Sequence, residues 1–514
     1  MEDRIRRMHV TDARVATAYH LARLACCAAL TYTFVCSLWF EYGGLPRHRA
    51  ETAWFITAAL AVLALGWGCL RAKRDAETVR ERDARENPWP LLALFLAGSF
   101  LLYGPSLRLG LLSDDFVLLA RAAAGDLRVG NEFFRPLPFY IWRLSSEVAP
   151  RQAELLHALN VTGHGLNGWL VYLIACQFCI ARHWAVLGGA FFMTTVCSVE
   201  PVVWLSGLFD VAMTAGVLMF ILACVRGSSV LAFLALPVAL LSKETGMVAP
   251  VLGAMAAASI SRSLRIPIIG LVVTASYIAL RLLLLPPPET YYAFPSRYLL
   301  KELVSRSFGT LGVPWTSRDV ADQPVVTLFS LLAITCALAT ALAFGITRRR
   351  FSLAVISASW VGVSVLPVYS YFFVSPTLEG SRYVYLGTAA FALLLIALAS
   401  SPQARSRIGG LNLAVLVMTT ACGAFGVRLH QQQWRSAAAL REVVLTAAAR
   451  TFPVIDCASM SVVGLPDSQD GAYVFRNGFS DALAKRGIDA PPIQEQNAAC
   501  SFQWNGREFT RSGP

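Results

Sequence analysis

Residues Leu91 to Leu137 read LLALFLAGSFLLYGPSLRLGLLSDDFVLLARAAAGDLRVGNEFFRPL. The first part, Leu91 to Leu112, is apolar over enough residues to cross the hydrocarbon core of a bilayer. It opens directly onto two adjacent carboxylates, Asp114 and Asp115, and an arginine-proline turn at Arg135 and Pro136 closes the stretch. Charge at headgroup depth is costly, so an acidic pair at the mouth of a span needs a reason.

The rest of the chain has the same texture. Of its 514 residues 56% are hydrophobic and only 15% charged, so water is not its main solvent. A net charge of +12 would suit nucleic acid, but the arginines cluster between apolar runs rather than on one face, and membrane topology explains them better. Apolar runs long enough to span recur about thirteen times, which predicts an all-α polytopic membrane protein.

The runs Leu21 to Phe40 and Thr52 to Leu70 form an amino-terminal hairpin. The first is read as an anchor rather than a signal peptide, because a polar region precedes it and no small-residue cleavage site follows. The next segment, RAKRDAETVRERDARENPWP, is the densest basic stretch and is cytoplasmic by the positive-inside rule, as is the amino terminus; the SDD stretch is then on the outer face. Arg348, Arg349 and Arg350 close the run Pro324 to Ile346 and agree with this parity. Three regions result: the hairpin and basic loop (1–90), a catalytic membrane region (91–428) with outer loops 113–154 and 286–323, and a small outer α/β domain (429–514). Ser242-Lys243-Glu244 forms a tight hairpin whose charges face outward. The expected location is a bacterial inner membrane, with the carboxy-terminal domain on the periplasmic or extracellular side.

Ten of the twelve cysteines lie in apolar runs, where a thiol behaves as a small buried hydrophobe. Cys457 and Cys500 lie in the outer tail and are candidates for a disulfide. No zinc-type spacing, glycine-rich phosphate loop or nucleophile elbow occurs, so the chemistry falls to the outer loops.

Each candidate has a bland and a functional reading. Asp114 and Asp115 are either a helix start with a surface charge or a pair in which one carboxylate acts as general base and its neighbour takes a hydrogen-bonding or metal role. His157, Asn160, His164 and Asn167 share one helical face. They glue helices together, or the outer end, His157, lines a cavity. Arg135, Lys243, Arg297 and Arg382 are cations on the side where positive charge is scarce. Singly they suit salt bridges or headgroups; together they suit a phosphate-bearing ligand. Glu200, ahead of Pro201, suits a helix amino terminus as well as a site.

The order SDD, FFRPL, H-x-x-N-x-x-x-H-x-x-N, VEPVVWLSGLFD, LLSKE, SRYVYL resembles the GT-C superfamily of membrane glycosyltransferases. It is most similar to the bacterial protein O-mannosyltransferase-like branch, which includes the transmembrane O-mannosyltransferases, here without their TPR repeats. The likeness covers about Leu91 to His430. It implies that Asp114 is the catalytic base with Asp115 beside it, and that Arg135, Glu200, Asp210, Lys243 with Glu244, and Arg382 with Tyr383 bind donor and substrate. The sequence departs from the family where histidines usually precede the glutamate (Thr194 to Ser198 here) and where Ser381 replaces a glutamate before the arginine-tyrosine pair.

The expected activity is inverting transfer of a sugar from a polyprenyl-phosphate donor to a hydroxyl on a protein, glycan or lipid acceptor. No cofactor is required; a divalent metal is possible but not indicated, because the cations themselves can stabilise the departing phosphate. The loop 286–323 would cover the cavity and exclude water. The alternatives are a flippase for a lipid-linked sugar, against which the absence of evident inverted repeats counts, and a non-catalytic envelope-assembly protein.

Overall fold

The computed structural model describes residues 87–129, 133–148, 152–285, 332–341, 348–369, 377–400, 407–454, 456–494 and 498–512, with isolated positions 307, 310, 311, 372, 374 and 375. The amino-terminal hairpin, Arg297, nearly all of loop 286–323 and the flanks of the run 324–346 lie outside the described residues.

The chain is mostly helical. Helix α1 (Trp89–Tyr103) runs through a short 3-10 turn into the acidic stretch, which starts α2 (Asp114–Ala123). A two-residue hairpin, β1 (Arg128–Val129) with β2 (Phe133–Phe134), leads to α3 (Pro136–Val148). The central helix is α4 (Gln152–Gln177), packed against α1, α5 (Arg182–Thr194) and α7 (Leu208–Arg226). Between α5 and α7 the chain bends by 60° into the short helix α6 (Val199–Val203).

Helix α8 (Ser229–Ser242) returns antiparallel along α7. The approach is close enough that a β-carbon at Gly216 would lie 2.4 Å from the Ala239 nitrogen, so any side chain there would force the pair apart. Then come α9 (Ala249–Ser259), α10 (Arg265–Leu284), α11 (Leu332–Ala341), α12 (Arg348–Val365), α13 (Tyr385–Ala399) and the 45-residue α14 (Arg407–Thr451). Helix α10 leaves large apolar side chains bare, with Leu283 83% exposed and Val272 62% exposed, as a surface facing lipid does.

This is a membrane protein with transmembrane helices. Among the described residues six helices are long and apolar enough to cross a bilayer, seven if the bent α5–α6 pair is one span. That is fewer than the thirteen expected, for three reasons. Two expected spans lie outside the described residues. Helices α8 and α9 are short, and of the run 324–346 only 332–341, helix α11, is among the described residues. Helix α4 is long enough, but its polar stripe dilutes its apolar character.

The other difference lies at the carboxy-terminal end. The last span was expected to stop at Val427, but α14 continues unbroken to Thr451 and rises into the tail. The sheet-bearing module begins only after it. Strand β3 (Met460–Val463) pairs parallel with β6 (Cys500–Trp504), which pairs antiparallel with β7 (Phe509–Arg511); β4 (Ser468–Gln469) and β5 (Ala472–Tyr473) form a separate hairpin, and α15 (Phe479–Arg486) completes the module. Phe452 at the end of α14 packs on Phe479, Phe502 and Phe509, which fixes the module to the helix. Cys457 and Cys500 are joined by a disulfide that ties the start of the module to its central strand.

Candidate active site

The two neighbouring carboxylates have different surroundings. Asp115 is 1% exposed. Its Oδ2 accepts from the Leu112 N–H at 2.9 Å, and its Oδ1 accepts from the Ser206 N–H at 3.0 Å and the Ser206 hydroxyl at 2.6 Å. It therefore staples the acidic turn to the loop before α7. Burial pushes its carboxyl up to about 7, against the hydrogen bonds from Ser206 and Leu112, which favour the ionised form.

Asp114 is only half-buried. Its Oδ1 accepts from the Asn477 amide at 2.6 Å and more weakly from the Ser113 hydroxyl at 3.3 Å; no hydrogen bond to its Oδ2 occurs among the described residues. The residue before it, Ser113, has φ 51° and ψ −120°, a backbone region that side-chain-bearing residues rarely enter. Its N–H is held by the Val474 carbonyl at 3.0 Å.

The other expected residues gather at this end of the bundle as ion pairs. Arg382 pairs with Glu200, which also accepts from the Arg382 N–H and the Ser381 hydroxyl, both at 3.2 Å. Lys243 donates to Asp210 at 2.6 Å, each side chain 4% exposed. Arg135 places both Nε (3.0 Å) and Nη2 (2.8 Å) on Glu244 Oε2. The Tyr383 ring lies between two cations, 5.3 Å from the Lys243 ammonium and 4.8 Å from the Arg382 guanidinium, and Phe209, next to Asp210, carries Arg135 at 5.1 Å. Lys243 lies within electrostatic range of both Arg135 and Arg382. The tight α8–α9 connection buries its charges in the bundle end beside the other ion pairs: Lys243 is 3% and Glu244 2% exposed.

His157 is placed differently from expectation. It is 1% exposed and its Nε2 lies 3.1 Å from the Gly110 carbonyl, so it braces the turn before Ser113 rather than lining a cavity. Asn160, one turn on, donates to the Trp204 carbonyl at 2.8 Å.

Four contributors are absent from the sequence reading. Arg281, in the last turn of α10, reaches Glu244 Oε1 at 3.5 Å; an arginine inside an apolar helix was its available signal. Ser206 holds Asp115. Tyr473 donates to Glu200 Oε1 at 3.0 Å and accepts from Arg382 at 2.6 Å, and Asn477 holds Asp114. The last two come from the tail, hundreds of residues away, and no local pattern marks them.

Among the described residues Arg135, Lys243, Arg281 and Arg382 oppose Glu200, Asp210 and Glu244, so four cations from four segments are gathered at one end of the bundle. Among the described residues no three His, Cys, Asp or Glu side chains converge as a metal-binding set. Compared with protein-family models the sequence matches none, and no curated protein matches it.

Proposed function

We propose that this protein is an integral-membrane inverting glycosyltransferase of GT-C type, moving a sugar from a polyprenyl-phosphate donor to a hydroxyl acceptor at the outer face of a bacterial inner membrane. In this reading the full chain has about thirteen spans, its amino terminus is cytoplasmic, and its carboxy-terminal module lies outside.

The observation that carries the reading is the contrast within the acidic pair. One carboxylate is consumed by structure, while the other stands half-buried, with no hydrogen bond to its Oδ2 among the described residues, at the end of the bundle where Arg382, Lys243 and Arg135 gather. A base beside an anion-stabilising group is what displacement of a phosphate by an alcohol needs.

Asp114 takes the proton of the acceptor hydroxyl as its oxygen attacks the anomeric carbon from the face opposite the phosphate. The bond from that carbon to the phosphate oxygen breaks, and its electron pair leaves with the lipid phosphate. Arg382, Lys243 and Arg135 face that developing charge, and the counter-ions Glu200, Asp210 and Glu244 hold them in place until it arrives. The lipid chain lies along the apolar helix surfaces.

The test is Asp114→Asn in purified, detergent-solubilised protein, supplied with a panel of polyprenyl-phosphate-linked hexoses and pentoses. Transfer should fall at least about 100-fold while expression, insertion and thermal unfolding stay at wild-type values. Full activity in that variant would sink the assignment. Transfer in detergent also separates an enzyme from a flippase, which needs two membrane sides. Mass spectrometry of envelope glycans from a deletion strain would identify the acceptor.

A further inference from the structure

The carboxy-terminal module does more than sit above the membrane region. Its segment Tyr473 to Gly478 is stitched to the site at successive residues. The Tyr473 hydroxyl bridges Glu200 and Arg382, and the Val474 carbonyl holds the Ser113 N–H. Arg476 pairs with Glu379 at 2.6 Å and stacks over the Tyr473 ring at 4.7 Å. Gly478 adopts φ +82°, and a β-carbon there would lie 2.8 Å from the Ser113 carbonyl oxygen, so only glycine lets the segment approach this closely.

The contact with a direct chemical consequence is the one between Asn477 Nδ2 and Asp114 Oδ1, at 2.6 Å. A carboxylate on a half-buried turn rotates freely about its last torsion, which exchanges its two oxygens. Asn477 removes that freedom: it engages Oδ1 and leaves Oδ2 without a hydrogen bond among the described residues.

We infer that Asn477 is a positioning residue for Asp114, so that the carboxy-terminal module completes the active site. This rests on the reading of Asp114 as the base. In the reaction the hydroxyl proton goes to Oδ2, the hydroxyl oxygen bonds to the anomeric carbon, and the bond from that carbon to the lipid phosphate breaks. Asn477 touches none of these atoms and keeps its bond to Oδ1 throughout.

The experiment uses the full chain in lipid nanodiscs with three variants: Asn477→Leu, similar in size without a donor; Asn477→His, which retains a ring N–H; and Asp114→Asn. Single-turnover release of polyprenyl phosphate from polyprenyl-phosphate-linked sugars is measured beside binding of bare polyprenyl phosphate by native mass spectrometry. Asn477→Leu should slow turnover about 10- to 100-fold with lipid-phosphate binding unchanged, and Asn477→His should recover most of the rate. Wild-type turnover in Asn477→Leu, equal losses in the leucine and histidine variants, or a matching loss of lipid binding would overturn the positioning role. Turnover kept in Asp114→Asn would instead overturn the reading of Asp114, so the two failures are distinct. A substrate-free measurement tests the contact itself. Amide hydrogen exchange across 472–478 should rise in Asn477→Leu and in Asp114→Leu but not in Asp114→Asn, which keeps an acceptor oxygen; unchanged exchange in Asp114→Leu would refute it.

Discussion

The middle of α4 and the site end of the bundle are both polar places inside an apolar protein, and they are satisfied by different means. Along α4, Asn160, His164 and Asn167 are each 0% exposed, and the two amide nitrogens and the imidazole find partners, mostly on backbone, while the Asn160 and Asn167 amide oxygens have none among the described residues. His164 Nε2 lies 3.1 Å from the Met193 carbonyl, which can only accept, so that nitrogen carries the proton and Nδ1 accepts from the Tyr385 hydroxyl at 2.8 Å. Asn167 donates to the Val211 carbonyl at 3.1 Å and to the Tyr385 hydroxyl at 3.3 Å. These are neutral groups tying α4 to its neighbours. At the site end the groups are full charges, paired with charges from other segments: Arg382 with Glu200, Lys243 with Asp210, and Arg135 and Arg281 with Glu244. Neutral polar groups here hold helices together, whereas the ion pairs draw distant segments of the chain to one end of the bundle.

The first way to break this contrast is to unpair a charge. Removing one member of the Lys243–Asp210 pair, as in Lys243→Met or Asp210→Leu, leaves an uncompensated charge at a position 4% exposed and should destabilise the protein by about 3–5 kcal/mol. The double variant should unfold at a higher temperature than either single one, because no charge is then stranded. A double variant as unstable as the sum of its parts would mean that the pair is held for packing rather than charge. Transfer should be lost in all three.

How much of this was legible follows from the same contrast. The span at Leu91, the acidic pair, and the cations at Arg135, Lys243 and Arg382 were visible because charge beside a long apolar run is conspicuous. Their pairings were not visible. Arg382 meets Glu200 across 182 positions and Arg135 meets Glu244 across 109, and nothing local encodes which acid each cation chooses. The stripe on α4 was readable from its spacing, but which of its members faced the site was not: His157 turned to the Gly110 carbonyl because the chain before Ser113 offered an acceptor there. The extension of α14 past Val427 was obscured because polarity ends a membrane span without ending a helix. Asn477 and Tyr473 reach the site only through folding of the tail module.

Asp115 gives a pH-dependent test. Burial pushes its carboxyl from an ordinary value of 3.8 up to about 7, so between those two limits the folded state holds a proton that the unfolded chain has lost. Stability should therefore fall as pH rises through this window, by at most about 4 kcal/mol, and level off above it. Thermal unfolding at pH 5 and pH 8 reads the part of this loss that lies above pH 5, at most about 3 kcal/mol. In Asp115→Asn that share of the slope should vanish while transfer persists at a reduced level. A slope identical to wild type in the variant would show that other groups carry it.

The smallest effect expected is in α4, and it sharpens the contrast most directly. Tyr385→Phe removes the hydroxyl that donates to His164 Nδ1 and accepts from Asn167, leaving two buried polar atoms short of a partner without changing any charge. Its cost should be about 1–3 kcal/mol, below that of a stranded ion. If the stripe is structural glue, this variant unfolds at a lower temperature but transfers sugar at the wild-type rate below that temperature. A loss of transfer with unfolding unchanged would instead place His164 and Tyr385 in the chemistry, and the division between a neutral scaffold and a charged site would have to be redrawn along the length of α4.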